Sequence, residues 1–184
     1  MQAMETTTRT QWLIDPAHSE IGFRVKHLVF SNVRGTFRNV DARVFTMGDD
    51  FSQAEVDVII DPASINTGIE QRDEHLRSGD FFDAEQFKEI RFTASTLVPT
   101  ETNGRYIMYG ELAMKGIKNE VKLDVEFGPQ ITDPYGNEKA LFSIDGKINR
   151  KEWGLNYNAA LEAGGVLISE DVWIHCEIQL IKQK

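Results

Sequence analysis

The chain has 184 residues, with 20 basic against 29 acidic side chains, a net charge of −9 and a pI near 4.9. That length suits one domain, which buries ~70% of the surface its unfolded chain exposes, and the lone cysteine, Cys176, excludes an internal disulfide. The acidic balance argues against nucleic acid, which is bound by neutralising phosphates, and against electrostatic docking on anionic membranes.

Residues 1–11 contain no apolar core of signal-peptide length, and no segment is long and apolar enough to span a bilayer. The expectation is a flexible segment over 1–11 followed by one domain over 12–184. The expected compartment is the cytoplasm, or the periplasm if a leader has been removed. Strict alternation then begins: Ile21, Phe23 and Val25 face one way, Arg24 and Lys26 the other. The same period places Val56, Val58 and Ile60 inward, then Ile90, Phe92 and Ala94, then Val121, Leu123, Val125 and Phe127. The last strand carries Val172, Ile174, Cys176, Ile178 and Leu180 on one face.

The punctuation suits hairpins. Asn103-Gly104 predicts a two-residue type I′ turn, residues 115–119 predict a second turn, and the Glu162-Ala163-Gly164-Gly165-Val166 run predicts a break before the last strand. Many short strands at this spacing predict an antiparallel barrel or sandwich. One segment, residues 67–87, breaks the period. Thr67 and Glu70 match a capping box, Asp73 and Arg77 have pairing distance at i, i+4, and Gly79 is a stop signal. Asp83 and Gln86 start a second short turn. This insertion ends in Phe81-Phe82, which suits either a plug for a filled core or a lid over a cavity.

An eight-stranded barrel can be filled by its own side chains or hold one ligand. Eleven phenylalanines favour filling, while Ala94, Gly110 and Ala113 leave room along the axis. The spacing alone leaves both open.

The runs WLIDPAHSEIGFRVKHL, VRGTF, QRDEHLRSGDFFD, GELAMKG and INRKEWG together resemble the YceI family of lipocalin-like polyisoprenoid-binding proteins. The resemblance runs from Trp12 to the last strand. Two departures stand out: Lys88-Glu89 replaces an aromatic-proline pair, and Leu112-Ala113 replaces Leu-Thr. The resemblance implies an all-β, extended, antiparallel eight-stranded barrel around a long apolar tunnel, with the helical insertion over its opening. It implies binding, carriage or storage of a polyprenyl phosphate or quinone-type lipid, without catalysis, cofactor or metal.

On that reading the tunnel wall comprises Phe23, Val25, Phe30 and Phe37 from the first half of the chain, with Val58 and Phe92. Leu112, Leu123 and Trp153 continue it. Ile69, Leu76, Phe81 and Phe82 form the lid, and His27, Arg34, Arg72 and His75 serve the head group. His27 also stands open as a satisfied core histidine, or as the base of an enzyme of isoprenoid or quinone metabolism. His75 is expected to pair with Asp73 or Glu74, and Arg150 to hold either an anion or a structural carboxylate. A stress-related structural protein with a filled barrel is the remaining alternative. The histidines lack metal-site spacing, and no Gly-x-Ser-x-Gly elbow accompanies Ser19. The expected partner is the lipid, with no nucleic acid and no stable membrane insertion; Trp173 or an exposed edge leaves a homodimer open.

Overall fold

The computed structural model describes residues 8–159 and 167–184. Alternating side chains become strands wherever one face can be buried. Eight of them close a ring: β1 (Arg9–Ile14), β4 (Val40–Met47), β5 (Asp50–Ile60), β7 (Ile90–Pro99), β8 (Arg105–Met114), β9 (Ile117–Phe127), β11 (Glu138–Asn149) and β12 (Ile168–Lys182). The expected all-β antiparallel barrel is thus present, and Arg9 to Gln11 of the segment expected to be flexible are paired in β1. The break expected over 162–166 lies outside the described residues.

β12 is the strand that shapes the molecule. One edge pairs with β11 from Asn149↔Asp171 to Lys139↔Ile181. The other edge is shared: β1 takes Leu180 to Lys182, and β2 (Glu20–His27) takes Ile168 to Glu177. β3 (Ser31–Phe37) and β6 (Ile65–Asn66) continue the sheet beyond β2, lengthening the barrel at that end. Among the described residues β10 (Ile131–Thr132) pairs only with the start of β11.

Two turns differ from expectation. The connection around Asn103-Gly104 is a longer loop over 100–104, closed by the Thr100 amide on the Arg105 carbonyl at 2.9 Å, and only Gly104 has positive φ there. The tight two-residue turn falls instead at Lys115 (φ 50°) and Gly116 (φ 73°), between Met114 and Ile117. Its left-handed pair matches the strand twist.

The insertion forms one helix, α1 (Glu70–Arg77), without the expected capping box. Ile69 is its N-cap and supplies no side-chain bond. Asp73, 3% exposed, does that work from within the helix: its Oδ1 accepts from the Thr67 amide at 2.9 Å and the Thr67 hydroxyl at 2.6 Å. Asp73 is therefore not the partner of Arg77, which donates to Glu70 at 3.1 Å and to the Ala63 carbonyl at 2.9 Å. The backbone demand was legible; the carboxylate that meets it was not.

Opposite ends of the barrel are held differently. At the β1 end, Trp12, Val44, Phe51, Ala54, Ala140 and Leu180 pack together, and the buried Trp12 indole donates to Thr46 at 2.9 Å. Beside them Lys139 reaches Asp15 at 2.8 Å and Gln179 at 3.1 Å, and His18 also meets Asp15 at 2.8 Å. Burial pushes the Asp15 carboxyl up, but the hydrogen bonds and charges of Lys139 and His18 outweigh it, and the net shift is downward. A depressed carboxyl stabilises the fold above the unfolded value, and that contribution is lost as pH falls through the folded value. Lys139→Met leaves a buried carboxylate without its cation and should cost about 3–5 kcal/mol near neutral pH. Urea titrations should show the gap to the parent protein narrowing as pH drops through the carboxylate range, where Asp15 is neutral in both proteins. A pH-independent gap would show that the pair is not the source.

Candidate functional site

The ring encloses a cavity of about 530 Å³, within the ~300–1,000 Å³ of ligand pockets. Val172, Ile174, Cys176, Ile178 and Leu180 of β12 all line it. Along an extended strand those eight steps cover roughly 27 Å, so the space is elongated along the barrel. A filled barrel is not what these side chains make.

Room comes from positions that the sequence reading overlooked. Ala42 on β4 and Ala54 on β5 line the cavity, where longer side chains would project into it. Gly110, expected to open the axis, does not: a Cβ there would lie 2.5 Å from the Phe92 ring, so the glycine admits that ring. Ala94 and Ala113 are not on the lining. Phe51, Phe127 and Phe142 close the β1 end, with ring centroids 5.0–6.0 Å apart.

At the other end the lining turns polar. Arg72 and His75 come from α1, His27 from the end of β2, and Tyr157 and Arg150 from the segment before β12. Arg72 is held by Thr67, donating Nε to the hydroxyl at 2.7 Å and Nη2 to the carbonyl at 2.8 Å. His75 pairs with Asp80 at 2.8 Å rather than with Asp73 or Glu74, because Asp73 is committed to Thr67. Its ring stands edge-on to Tyr157 at 4.8 Å and Phe81 at 5.1 Å. Arg150, buried, has no carboxylate ligand among the described residues. Its guanidinium donates to the carbonyls of Ser169 (2.9 Å), Tyr157 (2.9 Å) and Leu155, and burial pulls its pKa down. It fastens the 155–157 segment to the start of β12. Cys176 faces the cavity, where burial pushes its thiol up to about 12; a thiol held protonated is a poor nucleophile.

Most residues expected at the site are brought together. Phe23, Val25, Phe37 and Val58 line the cavity, as do Phe92, Leu112 and Leu123. Leu76, Phe81 and Phe82 line it beside His27, Arg72 and His75. Four are not there. Phe30 is 88% exposed at the tip of the β2–β3 hairpin, beyond the alternating pattern. Ile69 is 53% exposed, because as N-cap it precedes the face that Leu76 presents inward. Trp153 is fully buried but off the cavity, its indole donating to the Leu112 carbonyl at 2.8 Å. Arg34 lies on the outer face of β3, opposite Arg24.

Comparison with known proteins agrees with this geometry. The YceI-like domain model matches residues 12–180. A UPF0312 protein of Staphylococcus aureus (strain USA300) is 40% identical over 164 residues, covering 89% of this chain and 92% of its own. The crystal structure of Burkholderia cenocepacia BcnA has the same fold, with a TM-score of 0.77 at 20% identity over 90% of this chain and 98% of that one. A polyisoprenoid binding domain from Saccharophagus degradans, implicated in plant cell wall breakdown, superposes with a TM-score of 0.69 at 14% identity over 94% of this chain and 98% of its own.

Phe81 and Phe82 should separate on substitution. Phe81 is buried against Tyr157 at 5.0 Å, so Phe81→Ala should destabilise by about 3–5 kcal/mol. Phe82 is partly exposed, edge-on to Phe37 at 5.8 Å, and Phe82→Ala should lower the melting temperature less. Equal losses in thermal denaturation would remove the distinction between a structural ring and a wall ring.

Proposed function

The chain belongs to the YceI-like family, and on that premise we propose that it binds one long apolar isoprenoid lipid, carrying, storing or shielding it without chemical change. The observation that carries this reading is the elongated cavity itself, apolar along β12 and polar only at the α1 end. Such an interior suits a ligand with a long featureless tail and one polar terminus. Burial returns ~0.8 kcal/mol per methylene, and association costs about 4–15 kcal/mol. A tail of roughly twenty buried carbons covers that cost by itself. Shape and length then select the ligand more than polar contacts do.

The polar end would take the head group. Arg72, His75 and His27 present donors suited to a phosphate oxygen or a quinone carbonyl. Phe82 and Leu76 would lie along the first part of the tail, with Phe81 supporting them. The name of the Saccharophagus domain, a polyisoprenoid binding domain on the same fold, supports the ligand class.

Native mass spectrometry of gently purified protein should show a stoichiometric added mass that organic solvent extracts. Ala42→Phe puts a ring into the cavity and should leave a folded protein with at least about tenfold weaker loading, near 1.4 kcal/mol. Full loading of that variant, or an extract with no isoprenoid, would count against the proposal. Turnover of an added prenyl substrate, abolished by His27→Ala, would replace it with an enzyme.

A further inference from the structure

The tip of the β2–β3 hairpin is built against local preference. His27 pairs with Ser31, leaving Leu28, Val29 and Phe30 as the loop. Leu28 and Val29 have φ of 53° and 64°, and the Phe30 amide returns to the His27 carbonyl at 3.3 Å. That is type I′ geometry, which favours Asn-Gly; a β-branched residue at positive φ is a conformational outlier. The same three residues are 49%, 71% and 88% exposed, a contiguous apolar tip that no packing among the described residues explains. Both backbone and solvation oppose this sequence.

The surroundings say what the tip meets. Although the whole chain is acidic, residues 20–38 carry Arg24, Lys26, Arg34 and Arg38 against Glu20 alone. Among the described residues none of those four cations is in an ion pair with a carboxylate. Arg24 lies 4.5 Å over the Trp173 ring, placing a cation and an aromatic ring beside the hairpin, while Glu20 and Asp145 lie on the same outer surface farther from the tip. The tip also adjoins the cavity. His27 precedes it and lines the polar end, and the Leu28 amide donates to the carbonyl of Leu167, another lining residue, at 2.9 Å.

We propose that Leu28, Val29 and Phe30 dock the protein reversibly on an anionic lipid bilayer, with the polar end of the cavity turned toward it. The apolar tip enters the headgroup boundary while Lys26, Arg24 and Arg34 meet anionic headgroups, the pairing of apolar insertion and basic attraction that holds peripheral proteins. The net charge of −9 opposes tight binding and keeps the contact transient, and the attraction of the local cations to the headgroups is screened by salt. A bilayer fits better than a protein partner because the tip is apolar and small, with Lys26, Arg24 and Arg34 behind it on the hairpin in no ion pair among the described residues. Docking rests on the hairpin alone; only its use, loading or delivering the lipid, rests on the carrier reading.

Flotation of the full chain with phosphatidylcholine vesicles, with and without phosphatidylglycerol, tests this at low and high salt. The expected result is binding to the anionic vesicles that weakens with salt. Leu28→Asn combined with Val29→Gly and Phe30→Ser installs the residues a type I′ turn prefers. It should keep or raise the melting temperature while reducing vesicle binding at least several-fold. Lys26→Glu with Arg34→Glu should remove the preference for phosphatidylglycerol. Equal binding by the tip variant, no vesicle binding by the parent, or a tip-dependent self-association in its place would each overturn the proposal. Ala42→Phe should still float with vesicles, so failure of the carrier reading and failure of docking are told apart.

Discussion

The constraint on which the molecule depends is the double use of β12. Its β11 edge is paired without interruption from Asp171 to Ile181, while its other edge passes from β2 to β1. Between those two strands the Asp15 amide and the Ser19 hydroxyl meet the Gln179 backbone, and the inward row from Val172 to Leu180 is apolar throughout. Closure also fixes the circumference. Once eight strands meet, the interior width is set by backbone geometry, not by the side chains available to fill it. Ala42 and Ala54 then leave space, and no relaxation of a closed ring can remove it.

This explains why the two ends are unlike. At the β1 end, Trp12 and Phe51 with the Asp15–Lys139 pair tie consecutive elements from both chain termini into one closed base. At the other end the wall passes to β2, β3 and the two-residue β6, and α1 is attached through side-chain bonds to Thr67 and backbone bonds such as Phe82 to Leu76. The closed base has aromatic rings packed against one another; the α1 end has cations held by carbonyls and hydroxyls. Those bonds satisfy the guanidinium groups, and the Thr67 hydroxyl that accepts from Arg72 itself donates to the Asp73 carboxylate.

The strands were legible because alternation is a direct record of which face is buried. Val121, Leu123 and Val125 on β9 need no tertiary knowledge to be placed inward. Failures occur where a residue's role depends on something distant in sequence. Phe30 looks like wall material until the hairpin carries it past the sheet. Trp153 reads as an aromatic lining residue, yet the Leu112 carbonyl, forty-one positions away, holds its indole outside the cavity. Gly110 suggests emptiness, but its cross-strand neighbourhood with Phe92 converts that gap into a seat for a ring. Asp73 was given the wrong partner and Lys139 was missed for the same reason: a buried charge is identified by its partner, and periodicity does not name partners.

The distribution of hydrogen bonding bears on the ligand exchange that the proposed function would need. A tail held by tens of methylene contacts leaves slowly unless its exit is cheaper to open than the barrel itself. The β11–β12 ladder could open only by breaking a long cooperative run. α1, by contrast, is eight residues long, too short to be stable alone in water, and it stays folded through Asp73, Thr67 and the packing of Leu76 and Phe81. Local opening draws on the least cooperative segments first. Helix and ladder therefore differ in stability in the order that the proposed lipid exchange would require, and that order follows from how each segment satisfies its backbone: the ladder through strand pairing, α1 through a few side chains.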